Sequence, residues 1–360
     1  MIKNLLLISI VSFCLFLPNT GYGQGLPAGG AGGEASRIEG KFKFIPLPYL
    51  NYDRSIGFTV GAIPMAMFNP VEKDTLSPSS IGGLFGMYST NKTWFTMGFA
   101  ALFLDEDNWR IMGAAGIGSV NFQFYLDNPI DIWIPYNTQA DFVFLQVKRR
   151  VVNKFYFGIS YMYTRFNTTT DVFPDTSVTR LNGLGINLSL DKRVGFYYPR
   201  SGYQANIKYF TYPGAFGNEF VSNKIEFDYD HYFPFRNNQD VLAGRFYGGL
   251  GIGDLSFNQQ FIVGQTDIRG YTQGAYRGNY LLALQGEYRW NFHKRFGAVG
   301  FLGVATVFES INEEDNGHIL PGIGTGLRYT VVQDIHMNVG LDIAAGRNDW
   351  GIYFRFGEVF

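Results

Sequence analysis

An arginine in a glycine-rich segment is the residue with the clearest chemistry in this chain. Residues 267–271 read Asp-Ile-Arg-Gly-Tyr, and the nearby run 280–292 alternates apolar and polar side chains. That alternation puts Leu284 on one face of a predicted strand and Glu287 on the other. The planar guanidinium of Arg269 can hold a carboxylate through two parallel hydrogen bonds. Such a contact can hold a loop or a ligand in place, but it does not catalyse a covalent reaction.

Catalysis and metal binding lack the residues that they need. The chain has four histidines and a single cysteine, Cys14. Strand alternation places His231 outward and only His336 inward, and no nucleophile motif or metal-spaced cluster surrounds either. Covalent catalysis needs a nucleophile with an adjacent base. The sequence therefore predicts no catalytic residue, no metal site and no cofactor, and we interpret His336 as a hydrogen-bonding residue of the interior.

Residues 1–23 have the pattern of a signal peptide. They combine a positively charged start, an apolar run and small residues at the positions that signal peptidase reads. The mature chain is predicted to begin at Gln24 and so to lose Cys14. Residues 24–40, rich in Gly and Ala, are predicted to be a flexible periplasmic lead-in.

The composition favours a membrane barrel over a soluble globule. Aromatic residues make up 18% of the chain and charged residues 16%, whereas a soluble domain carries about 25% charge. After the signal, no run of 18 apolar residues could form a membrane-spanning helix. A net charge of −1 offers no basic patch for nucleic acid. We expect an outer-membrane barrel of a Gram-negative bacterium, in contact with membrane lipid and lipopolysaccharide.

Runs of about ten residues with a period of two fill residues 41–360. In residues 155–163 every second side chain is apolar or aromatic, and these are predicted to face lipid. In residues 224–230 four charged side chains alternate with apolar ones, so the charges must face a wet interior. The predicted fold is all-β, an antiparallel transmembrane β-barrel of about sixteen strands. The strands are predicted to begin near Lys41, Ser55, Ser79, Asn91, Asn108, Thr138, Lys154, Thr176, Tyr203, Glu219, Asp240, Tyr280, Arg295, His318, Ile335 and Asp349.

Four stretches of the second half carry a family resemblance through their order and spacing. They are Asp191 and Arg193 with Pro199 and Gly202; residues 267–271; Glu-Tyr-Arg at 287–289; and the glycine-rich run 322–328 followed by Gly-Leu-Asp-Ile-Ala at 340–344. In these stretches the chain resembles the bacterial surface antigen superfamily. That family supplies the barrel of BamA-type and TamA-type assembly proteins and of two-partner secretion translocators.

Two departures from the family pattern affect the functional expectation. Assembly and secretion members carry periplasmic POTRA domains ahead of the barrel, and residues 24–40 are too few for one, so we expect a short form without them. The family strand that follows Glu287 usually reads Phe-x-Asp-x-Gly, but residues 301–305 read Phe-Leu-Gly-Val-Ala. Gly303 thus replaces a carboxylate that would normally meet the loop arginine.

The resemblance implies that the loop with Arg269 folds back into the barrel and pairs with inward carboxylates. Alternation makes Glu287 inward, so we expect it to be the partner, with Asp342 as the second candidate. Gly270 lets the backbone turn tightly beside the wall, and Tyr271 completes the motif. The alternative is a solvated loop arginine with no fixed partner.

The last residues combine a strand pattern with an assembly signal. Gly351, Phe354, Phe356 and Phe360 resemble the signal by which the assembly machinery recognises outer-membrane barrels. The simpler interpretation is a last strand with Ile352 and these three phenylalanines on its lipid side.

Two prolines suggest a weak seam. Pro46 and Pro48 lie two apart in the first predicted strand, so their missing N–H groups would face the same neighbour. If that neighbour is the last strand, the two strands are poorly joined, and the resemblance implies that a client strand or lipid could intervene. The alternative is that residues 41–50 are a periplasmic approach segment.

The expected function is an accessory role in outer-membrane protein assembly, insertion or translocation. A stand-alone barrel would carry it out with a separate periplasmic or assembly-machinery partner. The alternatives are a plugged or small-solute pore, or a structural scaffold of the outer membrane. A loop of about 25 residues folded into the barrel favours a plugged lumen over an open pore.

Overall fold

The computed structural model describes residues 37–53, 56–126, 132–169, 177–256, 259–264, 267–272 and 275–360. The predicted signal peptide with Cys14, and residues 24–36 of the predicted lead-in, lie outside these ranges. Residues 37–40 precede the first strand, and among them Ile38 is buried and donates its N–H to the hydroxyl of Ser79. No helix in the described part of the chain is long and apolar enough to cross a membrane.

Sixteen of the eighteen strands in the described ranges form one closed antiparallel barrel. The barrel strands are β1 (Phe42–Asp53), β2 (Gly57–Phe68), β3 (Ser80–Ser89), β4 (Trp94–Leu104), β5 (Trp109–Leu126), β6 (Ile132–Val152), β7 (Phe155–Thr169), β8 (Ser177–Asp191), β9 (Gly202–Tyr212), β10 (Ser222–Phe235), β11 (Asp240–Gly253), β14 (Tyr280–Asn291), β15 (Phe296–Phe308), β16 (Leu320–Val332), β17 (Met337–Gly346) and β18 (Asp349–Phe356). The remaining two, β12 (Phe261–Ile262) and β13 (Arg277–Gly278), pair with each other. The prediction of an all-β barrel of about sixteen strands is confirmed.

The even number of barrel strands brings the start of β1 and the end of β18 to one end of the barrel, here called the terminal end. Most of its turns have four residues or fewer, and β6 and β7 are joined by Asn153 and Lys154 alone, both at positive φ, as a tight hairpin requires. Two connections at this end are longer, residues 69–79 and residues 192–201. The opposite end, the loop end, carries the connection of residues 254–279 between β11 and β14. The strand starts match the predicted ones closely, except that β6 begins at Ile132 and not near Thr138.

Side chains alternate between the two faces of the wall as predicted. Outward residues such as Ile159 and Leu302 are 60% and 66% exposed, which suits a surface that meets lipid. The four charged residues of β10 point inward and are buried: Lys224, Glu226, Asp228 and Asp230. Two of them pair with the neighbouring strands, Asp228 with Lys208 at 3.6 Å and Asp230 with Arg245 at 2.6 Å.

The interior is filled with side chains, and a large part of it is apolar. A buried cluster joins inward residues of β1–β8 with residues near the turn between β16 and β17. Every methionine except Met1 belongs to this cluster or packs against it: Met65, Met67, Met87, Met97, Met112, Met162 and Met337. At the terminal end, residues 192–201 add Phe196 and Tyr197 to the cluster, and the hydroxyl of Tyr197 donates to the carbonyl of Ser79 at 2.7 Å. The expected wet, charged interior is therefore only one sector of the lumen.

The contact between β1 and β18 is the shortest in the barrel. Among the described residues it has one register pair, Tyr52 with Ile352, whereas every other pair of adjacent barrel strands has at least eight. Pro46 and Pro48 lie within β1 and face Pro64 and Ala62 of β2. The alternative that residues 41–50 approach the barrel from outside is wrong, because β1 pairs with β2 from Phe42 onward.

Engineered disulfides test how far this contact extends. Cysteines at Tyr52 and Ile352 are expected to link, because register neighbours have the Cα separation that a disulfide needs. Cysteines at Pro48 and Phe356, which would face each other if the same register continued, are expected to link poorly. Non-reducing gels of the two double variants give the measurement. Equal linking of both pairs would show a fully zipped contact and contradict the structure.

Candidate functional site

The loop between β11 and β14 turns into the barrel and buries its central residues. Ile268, Arg269 and Tyr271 are at most 2% exposed. The turn that aims them inward is closed by Asp267, whose carboxylate accepts the N–H of Gly264 at 3.1 Å. Gly264 has a φ of +101°, which a side chain would strain.

Arg269 contacts both carboxylates that the sequence analysis named. Its Nη2 donates to Oε2 of Glu287 on β14 at 2.8 Å, and its Nη1 donates to Oδ2 of Asp342 on β17 at 2.6 Å. The guanidinium also lies over the ring of Phe301 on β15, 3.2 Å from its centroid. Three strands of the wall therefore hold one loop side chain, and the solvated-arginine alternative does not describe this geometry.

Three glycines, which have no side chain, make room for the loop. A Cβ at Gly270 would lie 2.6 Å from the backbone of Ala345, and one at Gly322 would lie 2.5 Å from the carbonyl oxygen of Arg269. At Gly303 a Cβ would meet Ile268 and the carbonyl of Leu284, each at 2.9 Å. The place where the family pattern has an aspartate is thus filled by the loop itself, and Asp342 supplies the second acceptor.

The residues that follow Arg269 fasten the loop to the last strands. The N–H of Gly270 donates to the hydroxyl of Tyr353 at 2.9 Å, and the hydroxyl of Tyr271 donates to the carbonyl of Pro321 at 2.6 Å. Thr272 donates its hydroxyl to Asp349 at the start of β18. These bonds connect the loop to β16 and β18 in addition to the ion pairs.

The two carboxylates are shared with further arginines of the wall. Asp342 also accepts from Arg328 at 2.5 Å and from Arg355 at 2.9 Å, and Glu287 accepts from Arg289 at 2.9 Å. All of these groups are nearly completely buried. We call this group, with Arg269 and Glu358, the latch cluster.

The end of the chain enters the same cluster. After β18, Gly357 takes a φ of +77°, and Glu358 pairs with Arg328 at 3.0 Å. Phe360 is 3% exposed, and the guanidinium carbon of Arg245 lies 4.8 Å from its ring centroid. The expectation that Phe360 faces lipid is wrong, because the chain turns inward at Gly357 and the strand alternation stops.

The other residues of the C-terminal pattern lie on β18. Ile352, Phe354 and Phe356 take the outward register and are half-buried, while Gly351 faces inward. The ring of Phe354 lies 5.9 Å from that of Tyr49 on β1. Aromatic side chains therefore fill the space beside the single register pair of this contact.

The family motif at 191–202 builds a second buried ion cluster at the terminal end. Asp191 binds Arg110 and Arg193, each at 3.1 Å, and Arg110 also binds Asp107 at 2.8 Å. Gly202 has a φ of +88°, and a Cβ there would lie 2.1 Å from the carbonyl of Lys192. Pro199 accepts a long hydrogen bond, 3.5 Å, from Arg289 of the latch cluster.

His336 lies in the turn before β17 and not on a strand. Its ring packs 4.3 Å from that of Tyr198, and Arg200 lies 3.4 Å from its Nδ1. Burial, helped by the charge of Arg200, lowers the pKa of His336 to about 4. The ring is therefore neutral at physiological pH, and within the described ranges no group of His, Cys, Asp and Glu could hold a metal.

A model of the Omp85 superfamily domain matches residues 91–360. The chain belongs to the Omp85 superfamily. This confirms the resemblance based on residues 191–344, and the match includes every residue of the latch cluster. Comparison with curated proteins gives no match.

Solved structures with the same fold include three proteins of 12–13% identity. For BamA from Haemophilus ducreyi lacking POTRA domains 1–3, the TM-score is 0.58, with 88% of this chain and 69% of that chain covered. For CdiB from Escherichia coli the TM-score is 0.64, with 86% and 62% covered, and for CdiB from Acinetobacter baumannii it is 0.60, with 88% and 60% covered. This Omp85 barrel thus spans about two thirds of the length of the proteins it matches.

Sequence reasoning missed several members of the latch cluster. Arg289 and Arg328 stand inside family stretches, and strand alternation alone points them inward beside Glu287 and Asp342. Arg355 could have been found in the same way from β18. No signal marks Glu358, because it follows the last strand.

Replacing Asp342 by Asn tests the centre of the cluster. Three arginines share this carboxylate, so Asp342→Asn is expected to lower the free energy of unfolding by about 3–5 kcal/mol. The control Asp334→Asn removes a half-exposed pair with Lys43 and is expected to cost less than about 1 kcal/mol. Urea unfolding in detergent measures both, and equal losses would contradict the shared role of Asp342.

Gly303→Ala tests whether the loop occupies the place of the family carboxylate. The added Cβ is expected to destabilise the barrel by about 1–3 kcal/mol, because it meets Ile268 and a backbone carbonyl. Gly286→Ala on the adjacent strand has nothing within 4 Å and is the matched control. Thermal loss of the folded band on gels compares them, and a Gly303→Ala barrel as stable as the control would disprove this packing.

Proposed function

We propose that this Omp85 barrel lies in the outer membrane of a Gram-negative bacterium. There it assists the assembly, insertion or translocation of other proteins. Its outward face would contact membrane lipid and lipopolysaccharide, and a separate periplasmic or assembly-machinery partner would bring the client. The main observation that supports this proposal is the loop that Arg269 fastens inside the barrel through Glu287 and Asp342.

The fastened loop argues against free diffusion through the lumen. From the loop end, the loop occupies the interior with buried residues such as Ile268 and Tyr271. At the terminal end, residues 192–201 and the tail after Gly357 occupy it as well. A diffusion pore needs a continuous water-filled path. The interior described above is packed at both ends, which supports a role carried out at the wall.

The contact between β1 and β18 is the part of the wall best suited to such a role. With one register pair, most of the length of β1 and β18 lies outside a regular ladder between these two strands. An exposed strand edge adds further strands by main-chain hydrogen bonding. Pro46 and Pro48 weaken any closure along β1. We infer that an extended client segment, or lipid, intervenes here, while the latch cluster keeps β14–β18 rigid on the other side.

Aromatic side chains near the strand ends support the membrane location. Phe235, Phe292 and Phe296 are about half exposed close to the terminal-end turns, and Tyr88 and Trp94 are exposed close to the loop end. Barrels in the outer membrane carry such aromatic girdles at both interfaces. With both ends of the strand series at the terminal end, that end is assigned to the periplasm.

Site-specific photo-cross-linking in living cells tests the proposed role. A photoreactive residue at Pro48 or Phe354 is expected to capture other outer-membrane proteins during their synthesis. The same residue at Leu302, on the lipid face of β15, is the matched control and is expected to capture none. Linking Tyr52 to Ile352 by a disulfide is expected to reduce capture at Phe354. Reduction with a thiol should restore it.

Single-channel recording distinguishes the assembly role from the alternative of a diffusion pore. Large, steady currents from the purified barrel, together with no client at Pro48 or Phe354, would mean a pore and overturn the assembly proposal. Small or absent currents are expected for the wild type, because the loop is fastened. Arg269→Glu would place a third carboxylate beside Glu287 and Asp342 and is expected to free the loop or prevent folding.

A further inference from the structure

The outward faces of the barrel strands carry very little charge. Within the described ranges, Asp, Glu, Lys and Arg take the outward register of the wall on β6, β7 and β8 alone: Asp141, Arg149, Arg165 and Arg180. A charged side chain on the lipid face destabilises a barrel strongly at the midplane of the membrane and little near its surfaces. Four charges on three adjacent strands therefore distinguish this strip of wall from the rest of the lipid face.

Arg165 on β7 and Arg180 on β8 are register neighbours near the loop end, and we call this pair the arginine row. Both side chains are exposed, and neither forms an ion pair with a described residue. Asp141 on β6 is the register neighbour of Arg165, but no salt bridge joins these two described side chains. The three groups together leave a surplus of one positive charge. Two adjacent guanidinium groups suit an anion such as a phosphate group, which can accept hydrogen bonds from both.

The arginine row lies at one edge of the apolar band. Toward the terminal end, the next outward charge is Arg149, eight positions from Asp141 along β6. At 3.3 Å per residue this is about 26 Å, which crosses about 20 Å of membrane because barrel strands are tilted by about 40°. The apolar band of such barrels is about 25 Å tall, so both edges lie within reach of long arginine side chains. Toward the loop end, the next two outward residues of β6 and of β7 are polar: Asn137, Gln139, Asn167 and Thr169.

An apolar groove of about 500 Å³ opens on the same outward face, on the terminal-end side of the arginine row. Outward side chains of β6–β9 line it, among them Leu145, Ile159, Leu184 and Ile186, all of which are exposed. Ligand pockets in proteins have volumes of about 300–1,000 Å³ and mostly apolar linings. The groove is therefore large enough to hold part of a lipid molecule.

Two tyrosines in the lining are held in place by hydrogen bonds. The hydroxyl of Tyr161 donates to Asn182 at 3.1 Å, and that of Tyr209 donates to Asn223 at 2.7 Å. Tyr161 and its register neighbour Leu184 lie four positions from the arginine row on their strands, about 13 Å along the tilted wall. An acyl chain that descends from the row to the middle of the apolar band therefore passes through the groove.

We propose that this strip of wall binds one lipopolysaccharide molecule of the outer leaflet. A phosphate of its lipid A lies at Arg165 and Arg180, one acyl chain lies in the groove, and its sugars face the polar residues toward the loop end. Arg149 at the opposite edge offers no such pair, because it is single and its guanidinium carbon lies 5.2 Å from the ring centroid of Trp109. The inference rests on the membrane location proposed above, which puts the loop end outside, and not on the assembly role.

Titration of the full-length barrel with bisphosphorylated lipid A tests the site. The barrel is purified in maltoside and freed of lipid, and native mass spectrometry counts the bound molecules. Wild type is expected to bind one lipid A saturably. The double variant Arg165→Gln, Arg180→Gln is expected to weaken binding about tenfold or more, because two charge-assisted hydrogen bonds are lost. Leu184→Trp fills the groove and is expected to weaken binding several-fold. The matched controls Arg149→Gln and Leu302→Trp, elsewhere on the outward face, are expected to leave binding unchanged.

Three results would overturn the site: no saturable binding to wild type, undiminished binding to the double variant, and equal weakening by Arg149→Gln. The last result would place the lipid in the periplasmic leaflet. Lipid A without its phosphates is the second probe and is expected to bind at least tenfold more weakly. Equal binding of both probes would contradict the role of the arginines. All substituted side chains are exposed, so folding is preserved. Client capture at Pro48 and Phe354 does not involve the arginine row, so the assembly role is tested separately.

Discussion

The carboxylate of Asp342 is the point on which the interior of this barrel depends. It accepts hydrogen bonds from Arg269 of the inserted loop, from Arg328 of the adjacent strand and from Arg355 of the last strand. A buried charge is costly unless it is paired. Removing one charged partner therefore destabilises the protein, because the remaining charge stays buried without a partner. One acidic side chain thus joins the loop, the wall and the last strand. A substitution in any of the three therefore affects the ion pairs of the other two.

That unit divides the barrel into a rigid and a weakly joined side. β14–β18 are tied together by the latch cluster and by the bonds of Gly270 and Tyr271. Across the contact to β1, one register pair and the packing of Phe354 against Tyr49 replace the regular ladder. A wall that is weak at one contact keeps its shape when the strands on one side of that contact are held from within. This arrangement is the physical basis for the proposal that the Omp85 barrel acts through its wall.

Strand alternation predicted the architecture and half of the site, because a period of two decides which side chains share a face. It placed Glu287, Arg289 and Asp342 inside, and it would have placed Arg328 and Arg355 there too. It failed where the backbone leaves the strand. Phe360 turns inward after Gly357, and the aromatic residues of 192–201 fold into the lumen. Alternation carries no information about such segments, since their direction depends on what they meet across the barrel.

The methionine lining of the interior has a chemical consequence of its own. A thioether takes up one oxygen atom and becomes a polar sulfoxide, whereas the leucine, isoleucine and phenylalanine of the lipid face do not react in this way. Seven methionines in or against one apolar cluster therefore concentrate the thioethers of the barrel in its interior. An oxidant that reaches the lumen would turn part of an apolar lining into a polar one through sulfoxides that form on its inner side.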